Sequence, residues 1–218
     1  MTSIWHYLRR CVVMLPAVPL CAFGVCLFLK ADMGCDPLTS FELGLAAVLS
    51  IPLGTASLLF EGVVFAVFLF FDRSRLNFGS AAFCFGIGPC INLFSVIVDR
   101  MLPMPLSWLG RALCLLGGTL LICSGLAYYL PMDLGAQASD LLSLAVADRM
   151  RISYGTGLTI VYAVLMVLAL LLGAPWGVGT VVATGCFGMI VNQMLRYTRS
   201  FSLRLAGVEI NEAGGQST

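Results

Sequence analysis

Charged side chains are scarce in this sequence. Its 218 residues include 12 Lys or Arg and 11 Asp or Glu, a charged fraction of 11%, whereas 60% are hydrophobic and the mean hydropathy is +0.99. That charged fraction is too small to cover the surface of a water-soluble domain of this size. We therefore expect an all-α polytopic membrane protein whose exterior faces mainly the lipid bilayer.

Histidine and lysine are nearly absent, with His6 and Lys30 as the single examples. A histidine-based triad, a helix-borne zinc pair and a haem ligand are therefore not available in the bundle core. The nine cysteines show no C-x-x-C spacing and are interpreted as small buried hydrophobes. A net charge of +1 provides no basic surface of the kind that binds nucleic acid. We expect no enzymatic activity, no cofactor, no metal and no nucleic-acid partner.

The two halves of the chain align with each other at an offset of about 100 residues. The matched residues are glycine or polar, so coincidence explains them poorly. We predict one membrane domain over 1–218, built from repeat 1 at about 9–102 and repeat 2 at about 110–204, with a polar C-terminal tail at 205–218. The matched pairs are Arg10 with Arg111, Gly24 with Gly125, Asp32 with Asp133, Gly34 with Gly135, Gly54-Thr55 with Gly155-Thr156, Gly79 with Gly179, Gly88 with Gly188 and Asn92 with Asn192.

Each half is predicted to contain three long helices and one short helix. The long segments are 11–29, 53–71 and 79–98, then 112–130, 154–173 and 179–196; the short ones are 36–50 and 137–148. Because the short segments are barely able to cross a bilayer, we favour six full spans plus two half- or re-entrant helices in inverted repeats. Eight full spans in parallel repeats are the alternative. The distribution of basic residues between the two sides of the membrane does not decide between six and eight crossings. Both arrangements place both termini in the cytoplasm.

Several polar residues fall where a substrate site between repeats would lie. Glu61 interrupts an apolar stretch, where a carboxylate costs at least about 2.5 kcal/mol and needs a partner or a proton. Asp36 suits the N-cap of the first short helix, ahead of Pro37. The predicted substrate-binding set is Asp36, Glu42, Glu61, Gln137, Asp140 and Tyr162, with Gln137 at the place of Asp36 and Tyr162 at that of Glu61.

Amides and aromatic residues are given structural roles. We expect Asn92, Asn192 and Gln193 to form interhelical hydrogen bonds worth about 1 kcal/mol. Tyr128 and Tyr129, like the three tryptophans, fall near the ends of segments, where aromatic belts form at the membrane surface.

The opening of the first short segment, Gly34-Cys35-Asp36-Pro37, resembles the YitT/YczE family of bacterial integral membrane proteins. The resemblance runs over about residues 11–200 and includes Gly44-Leu45, Gly54-Thr55, Gly79-Ser80 and Gly86 to Gly88. Many relatives have Pro-Trp-Asp where this chain has Pro37-Leu38-Thr39, and here an acid stands instead at Asp140. The resemblance implies a multi-pass protein of the bacterial inner membrane and supplies no substrate.

Duplication together with paired short polar segments favours a small-solute permease, coupled to protons or cations through Glu61. Its substrate would be an unidentified small molecule or ion, and a homo-oligomer or a membrane partner is compatible with the sequence. One alternative is a substrate-capturing membrane subunit of an ATP-driven uptake system. Another is a non-enzymatic accessory membrane protein.

Overall fold

The computed structural model describes residues 2–132, 134–174 and 176–206, and 84% of these residues are helical. No strand occurs within those ranges, so the prediction of an all-α fold is confirmed. Single 3-10 turns lie at Arg73–Arg75 and at Leu130–Met132. The helices are α1 (Thr2–Met14), α2 (Ala17–Lys30), α3 (Pro37–Leu49), α4 (Leu53–Phe71), α5 (Phe78–Met101), α6 (Trp108–Tyr129), α7 (Ala138–Met150), α8 (Tyr154–Leu171) and α9 (Val178–Ala206).

Among the described residues, five segments are long and apolar enough to cross a membrane: Trp5–Lys30, Leu53–Phe71, Phe78–Met101, Trp108–Met132 and Tyr154–Leu171. Their outward faces carry large exposed apolar side chains, as expected where lipid replaces water.

Some predicted boundaries are corrected by the structure. The first long segment begins earlier than residue 11 and is divided into α1 and α2, with Pro16 as the N-cap of α2. Because proline has no N–H to donate, the helix is interrupted there. The last helix continues to Ala206, past the predicted end at 196. Most of the predicted tail, from residue 207, and Asp133 lie outside the described residues.

Contacts between helix ends define the two ends of the bundle. End A is where α2 and α5 begin, with Met14 against Gly79. End B is where they finish, with the Lys30 ammonium 2.7 Å from the Asp99 carboxylate. The α6 helix runs from B to A, because Arg111 lies 3.3 Å from Asp32 at its beginning, while the Tyr128 hydroxyl near its end donates to the Val13 carbonyl at 2.7 Å.

The two short helices each return to the end from which they start. For α7, Leu134 accepts from the Gly79 N–H at 2.6 Å, and Asp148 pairs with Arg75 at 2.8 Å, both at end A. For α3, Met33 accepts from the Gly179 N–H at 2.7 Å. Leu172 and Ala174, which follow α8, pack around Gly44, and all of these contacts lie at end B. Neither helix crosses the bundle, and they enter from opposite ends.

Three ion pairs bear on the number of crossings. Eight full spans would put Lys30 and Asp99 on opposite sides of the bilayer, and the same holds for Asp32 with Arg111 and for Arg75 with Asp148. Each pair is within 3.3 Å in this fold. The eight-span alternative is therefore inconsistent with these contacts.

Corresponding contacts recur in the two halves. The loop before α3 is held by α9, where the Cys35 N–H donates to the Thr180 hydroxyl at 3.1 Å. The loop before α7 is held by α5, where the Ala136 N–H donates to the Ser80 hydroxyl at 3.1 Å. Gly34 and Gly135 precede these donors with φ of 101° and 86°, a conformation that glycine adopts without strain. A duplicated unit would produce such pairs; the duplication itself stays a prediction.

Candidate functional site

Four carboxyl side chains lie inside the bundle: Asp36, Glu42, Glu61 and Asp140 are each at most 3% exposed. Glu42 interacts electrostatically with Asp36 and Glu61, and Glu61 interacts with Asp140. We call these four residues the acid row. A buried carboxylate is costly unless it is protonated, hydrogen-bonded or balanced by a cation, so each member is described below by its partners.

Glu61 stands near the middle of the 19-residue α4 and caps the beginning of α7. Both of its carboxylate oxygens accept from the Ala138 N–H, at 3.1 and 2.9 Å. Gln137 is the N-cap residue of α7 but makes no side-chain cap bond; its amide donates instead to the Ser139 hydroxyl at 3.2 Å. Glu61 therefore satisfies a helix N-terminus that its own N-cap residue leaves open.

Asp36 caps α3 from within the helix itself. Its Oδ2 accepts from the Thr39 N–H at 3.1 Å, and Pro37 occupies the first turn, as the sequence indicates. Its Oδ1 is buried and has no hydrogen-bond partner within the part of the chain that the structure describes. Tyr162, at the place in α8 that corresponds to Glu61 in α4, interacts electrostatically with Asp36 and Asp140.

Glu42 links α3 to α4. Its Oε1 accepts from the Ser57 hydroxyl at 3.0 Å, and both side chains are buried. A serine next to the predicted acid gave no distinct signal in the sequence, because serine is common at helix contacts.

Asp140 is bound by two tyrosines. The Tyr154 hydroxyl donates to Oδ1 at 2.7 Å, and the Tyr129 hydroxyl donates to Oδ2. The prediction that Tyr129 belongs to an aromatic belt is wrong, since this side chain is fully buried. Its position at a helix end suggested the belt, but its ring packs against Phe83 of α5, with 4.6 Å between the ring centroids, and its hydroxyl reaches Asp140 of α7.

The six predicted site residues thus lie in one region, where α3 and α7 begin opposite the middles of α8 and α4. The amides predicted as structural lie apart from it. Asn92 accepts from the Gly54 N–H and Asn192 from the Gly155 N–H, both at 3.2 Å, while Gln193 is exposed on α9. These two bonds connect the first turn of α4 to α5 and the first turn of α8 to α9.

Chemically, the arrangement is able to hold protons or cations. Among the described residues, no group of three His, Cys, Asp or Glu is placed to bind a metal ion. Carboxyl groups in contact with tyrosine hydroxyls and helix N-termini are the kind of site that intramembrane proton and ion pathways use.

Two bacterial proteins are similar to the chain over most of their lengths. An uncharacterized protein of Bacillus subtilis (strain 168), YyaS, is 26% identical over 173 residues, which covers 78% of this chain and 85% of the relative. An uncharacterized protein of Haemophilus influenzae (strain ATCC 51907 / DSM 11121 / KW20 / Rd) is 28% identical over 200 residues, covering 89% and 87%.

No solved structure matches the chain significantly. The family match extends over residues 8–196, which include the entire acid row and both short helices. The chain belongs to the family of unknown function DUF6198.

Proposed function

We propose that the chain is a small-solute permease of the bacterial inner membrane. The observation that carries this proposal is that two short helices enter from opposite ends of the bundle and begin among buried carboxyls and tyrosines. Discontinuous helices of this kind, in inverted repeats, form substrate and coupling-ion sites in many transporters. The α9 helix supplies the sixth crossing, and the end of α9 lies with α1 at end A.

End A is the cytoplasmic end in this proposal. It carries Arg73, Arg75, Arg149, Arg151 and the arginines near both termini, whereas end B carries Lys30, Arg100 and Arg111. An excess of arginine marks cytoplasmic loops. We also propose that the chain is related to the YitT/YczE family and that it has no enzymatic activity.

Transport is tested with purified protein in liposomes. A defined mixture of amino acids, organic acids, amines, nucleosides and sugars is added outside, and the lumen is analysed by mass spectrometry. We expect at least one solute to accumulate, and Glu61→Gln to reduce its uptake about tenfold or more if Glu61 couples transport. Asp99→Asn, which neutralises an exposed carboxylate at end B, is the matched control.

The outcomes are distinct. If no solute accumulates, and none raises the unfolding temperature of the detergent-solubilised protein, the permease proposal fails. If uptake is the same in Glu61→Gln, Glu61 is not part of the mechanism. A stable complex with an ATPase would favour the substrate-capturing subunit instead, and a stable protein partner without any small ligand would favour the accessory protein.

Topology is tested by labelling single cysteines with an impermeant thiol reagent in a cysteine-free background. We expect a cysteine at Arg100 to be labelled from outside the cell and one at Arg73 to be protected. Labelling at Arg73 alone would instead require eight crossings and would contradict the arrangement of the short helices.

A further inference from the structure

The beginnings of the two short helices differ in one respect that points to a ligand. At α7, both oxygens of Glu61 have a donor. At α3, only Oδ2 of Asp36 has one, and Oδ1 is left without a partner although the residue is 3% exposed. A buried acceptor without a donor is unfavourable by about 1–3 kcal/mol, and more when it is charged.

The Thr39 hydroxyl interacts with the Asp36 carboxyl, but no side chain in the described part of the chain has hydrogen-bond geometry with Oδ1. Ser40, one turn into α3, uses its hydroxyl to donate to the Cys35 carbonyl at 3.3 Å. The described titratable groups that interact electrostatically with Asp36 are Cys35, Glu42, Cys123 and Tyr162, from α3 and its preceding loop, from α6 and from α8. All of them are neutral or negative, so the missing charge is positive.

The surroundings restrict the size and charge of a ligand. Thr39, Cys123 and Tyr162 are at most 2% exposed, so the Asp36 carboxyl is enclosed by protein and a bulky ligand is excluded. A divalent ion is disfavoured because it requires several carboxylate ligands, and the described part of the chain contains no cluster of three metal-binding side chains.

We propose that Asp36 binds a compact monovalent cation: a proton, an alkali ion or an ammonium ion. This cation would be the coupling ion of the proposed permease, or its cargo if the cargo is ammonium, and to that extent the inference rests on the proposed function. Asp36 then differs from Glu61, because both Glu61 oxygens accept from the Ala138 N–H whereas only one Asp36 oxygen accepts from the Thr39 N–H.

The test measures thermal unfolding of the full chain in detergent, without transport. Solutions of NaCl, KCl or NH₄Cl are compared with choline chloride at equal ionic strength, and a pH series in choline chloride tests the proton. We expect one of these four arms to raise the unfolding temperature, by roughly 5 °C or more at 100 times the dissociation constant. The proton arm would appear as stability that falls with rising pH.

Asp36→Asn is the decisive variant, because asparagine is an equally good N-cap and still accepts from the Thr39 N–H. We expect it to abolish a shift seen with one of the salts and to reduce one seen in the pH series, to which Glu42, Glu61 and Asp140 also contribute. Asp99→Asn should retain both shifts. If Asp36→Asn does not yield folded protein, Asp36→Ser keeps the cap acceptor and serves in its place.

An equal shift in the Asp36 variants overturns the inference, as does the absence of a shift in all four arms. The result is independent of the permease proposal. Solute uptake without a cation-dependent shift would support the permease proposal and contradict the cation site at Asp36. A shift that is lost in Asp36→Asn, in a protein that transports no solute, would support the cation site and contradict the permease proposal.

Discussion

The two short helices have the same length and the same place in their halves of the chain, yet they are capped in different ways. The α3 helix is capped by Asp36, at its own N-cap. The α7 helix has Gln137 there, without a cap bond, and receives Glu61 from α4 instead. One acid serves each helix, but it comes from the helix itself in the first half and from a neighbour in the second.

This difference separates local from tertiary stabilisation. The Asp36 cap forms between residues three apart and needs only the turn around it. The Glu61 contact spans 77 residues and forms only when α4 and α7 pack together. The beginning of α7 therefore depends on the fold of the whole bundle, and the two helices should respond differently to loss of their acids.

The largest effect is expected for Glu61→Ala. It leaves the Ala138 N–H without an acceptor in the interior and opens a cavity, which together should cost about 3 kcal/mol, or roughly 6–12 °C in unfolding temperature. Asp36→Ala should cost about 1 kcal/mol, the usual value for a lost N-cap. Thermal unfolding in detergent measures both.

Glu61→Gln is the control for that comparison. It keeps an oxygen acceptor for Ala138, so most of the stability should return although the charge is gone. Equal losses for Glu61→Ala and Asp36→Ala would contradict the distinction between the two caps.

A smaller effect tests whether the halves are equivalent where their contacts match. A Cβ on Gly54 would meet the Gly88 carbonyl, and a Cβ on Gly155 would meet the Gly188 carbonyl. Each substitution by alanine should therefore cost a similar amount, about 1–3 kcal/mol from overpacking. Unequal losses of more than about 1 kcal/mol would show that the matched contacts are not energetically equivalent.

Gly62 and Gly185 are the matched controls, because a Cβ at either position meets nothing within 4 Å. Alanine there should be neutral or stabilising by up to about 1 kcal/mol, as alanine favours a helix more than glycine does. Unfolding temperatures of all four variants, measured side by side, provide the comparison.

The sequence predicted the helical elements well, since apolar runs report burial or lipid contact directly. It also predicted Asp36 as an N-cap, because Pro37 and the acid are adjacent in the chain. It could not predict that Glu61 caps α7 or that Tyr129 binds Asp140. Both contacts depend on how helices pack: α4 against α7 for Glu61, and α7 against the end of α6 for Tyr129.

A further comparison within the acid row concerns the two hydroxyls on Asp140. Tyr154→Phe and Tyr129→Phe each remove one donor, and each should cost about 1 kcal/mol. The double variant should cost more than the sum, because Asp140 is then left with no donor in the interior. Tyr197→Phe, at an exposed position, should change the unfolding temperature by less than 1–2 °C, within about 0.5 kcal/mol. Additive losses would mean that the two bonds act independently.

The smallest effect is expected at end A, where Arg75 joins α4 to the last turn of α7. The pair with Asp148 is at 2.8 Å and largely exposed, so Asp148→Asn should cost less than about 1 kcal/mol and lose its effect at high salt.

Hydrogen bonds from Ser74 and Arg75 lower the pKa of Asp72, the other partner of Arg75. The stability from Asp72 is therefore present at neutral pH and is lost as the pH falls through its lowered pKa. Unfolding measured from pH 7 to pH 3 should show an acid-dependent loss that Asp72→Asn reduces. A loss at Asp148 as large as that at Glu61 would mean that α7 is held from its end, rather than from its buried beginning.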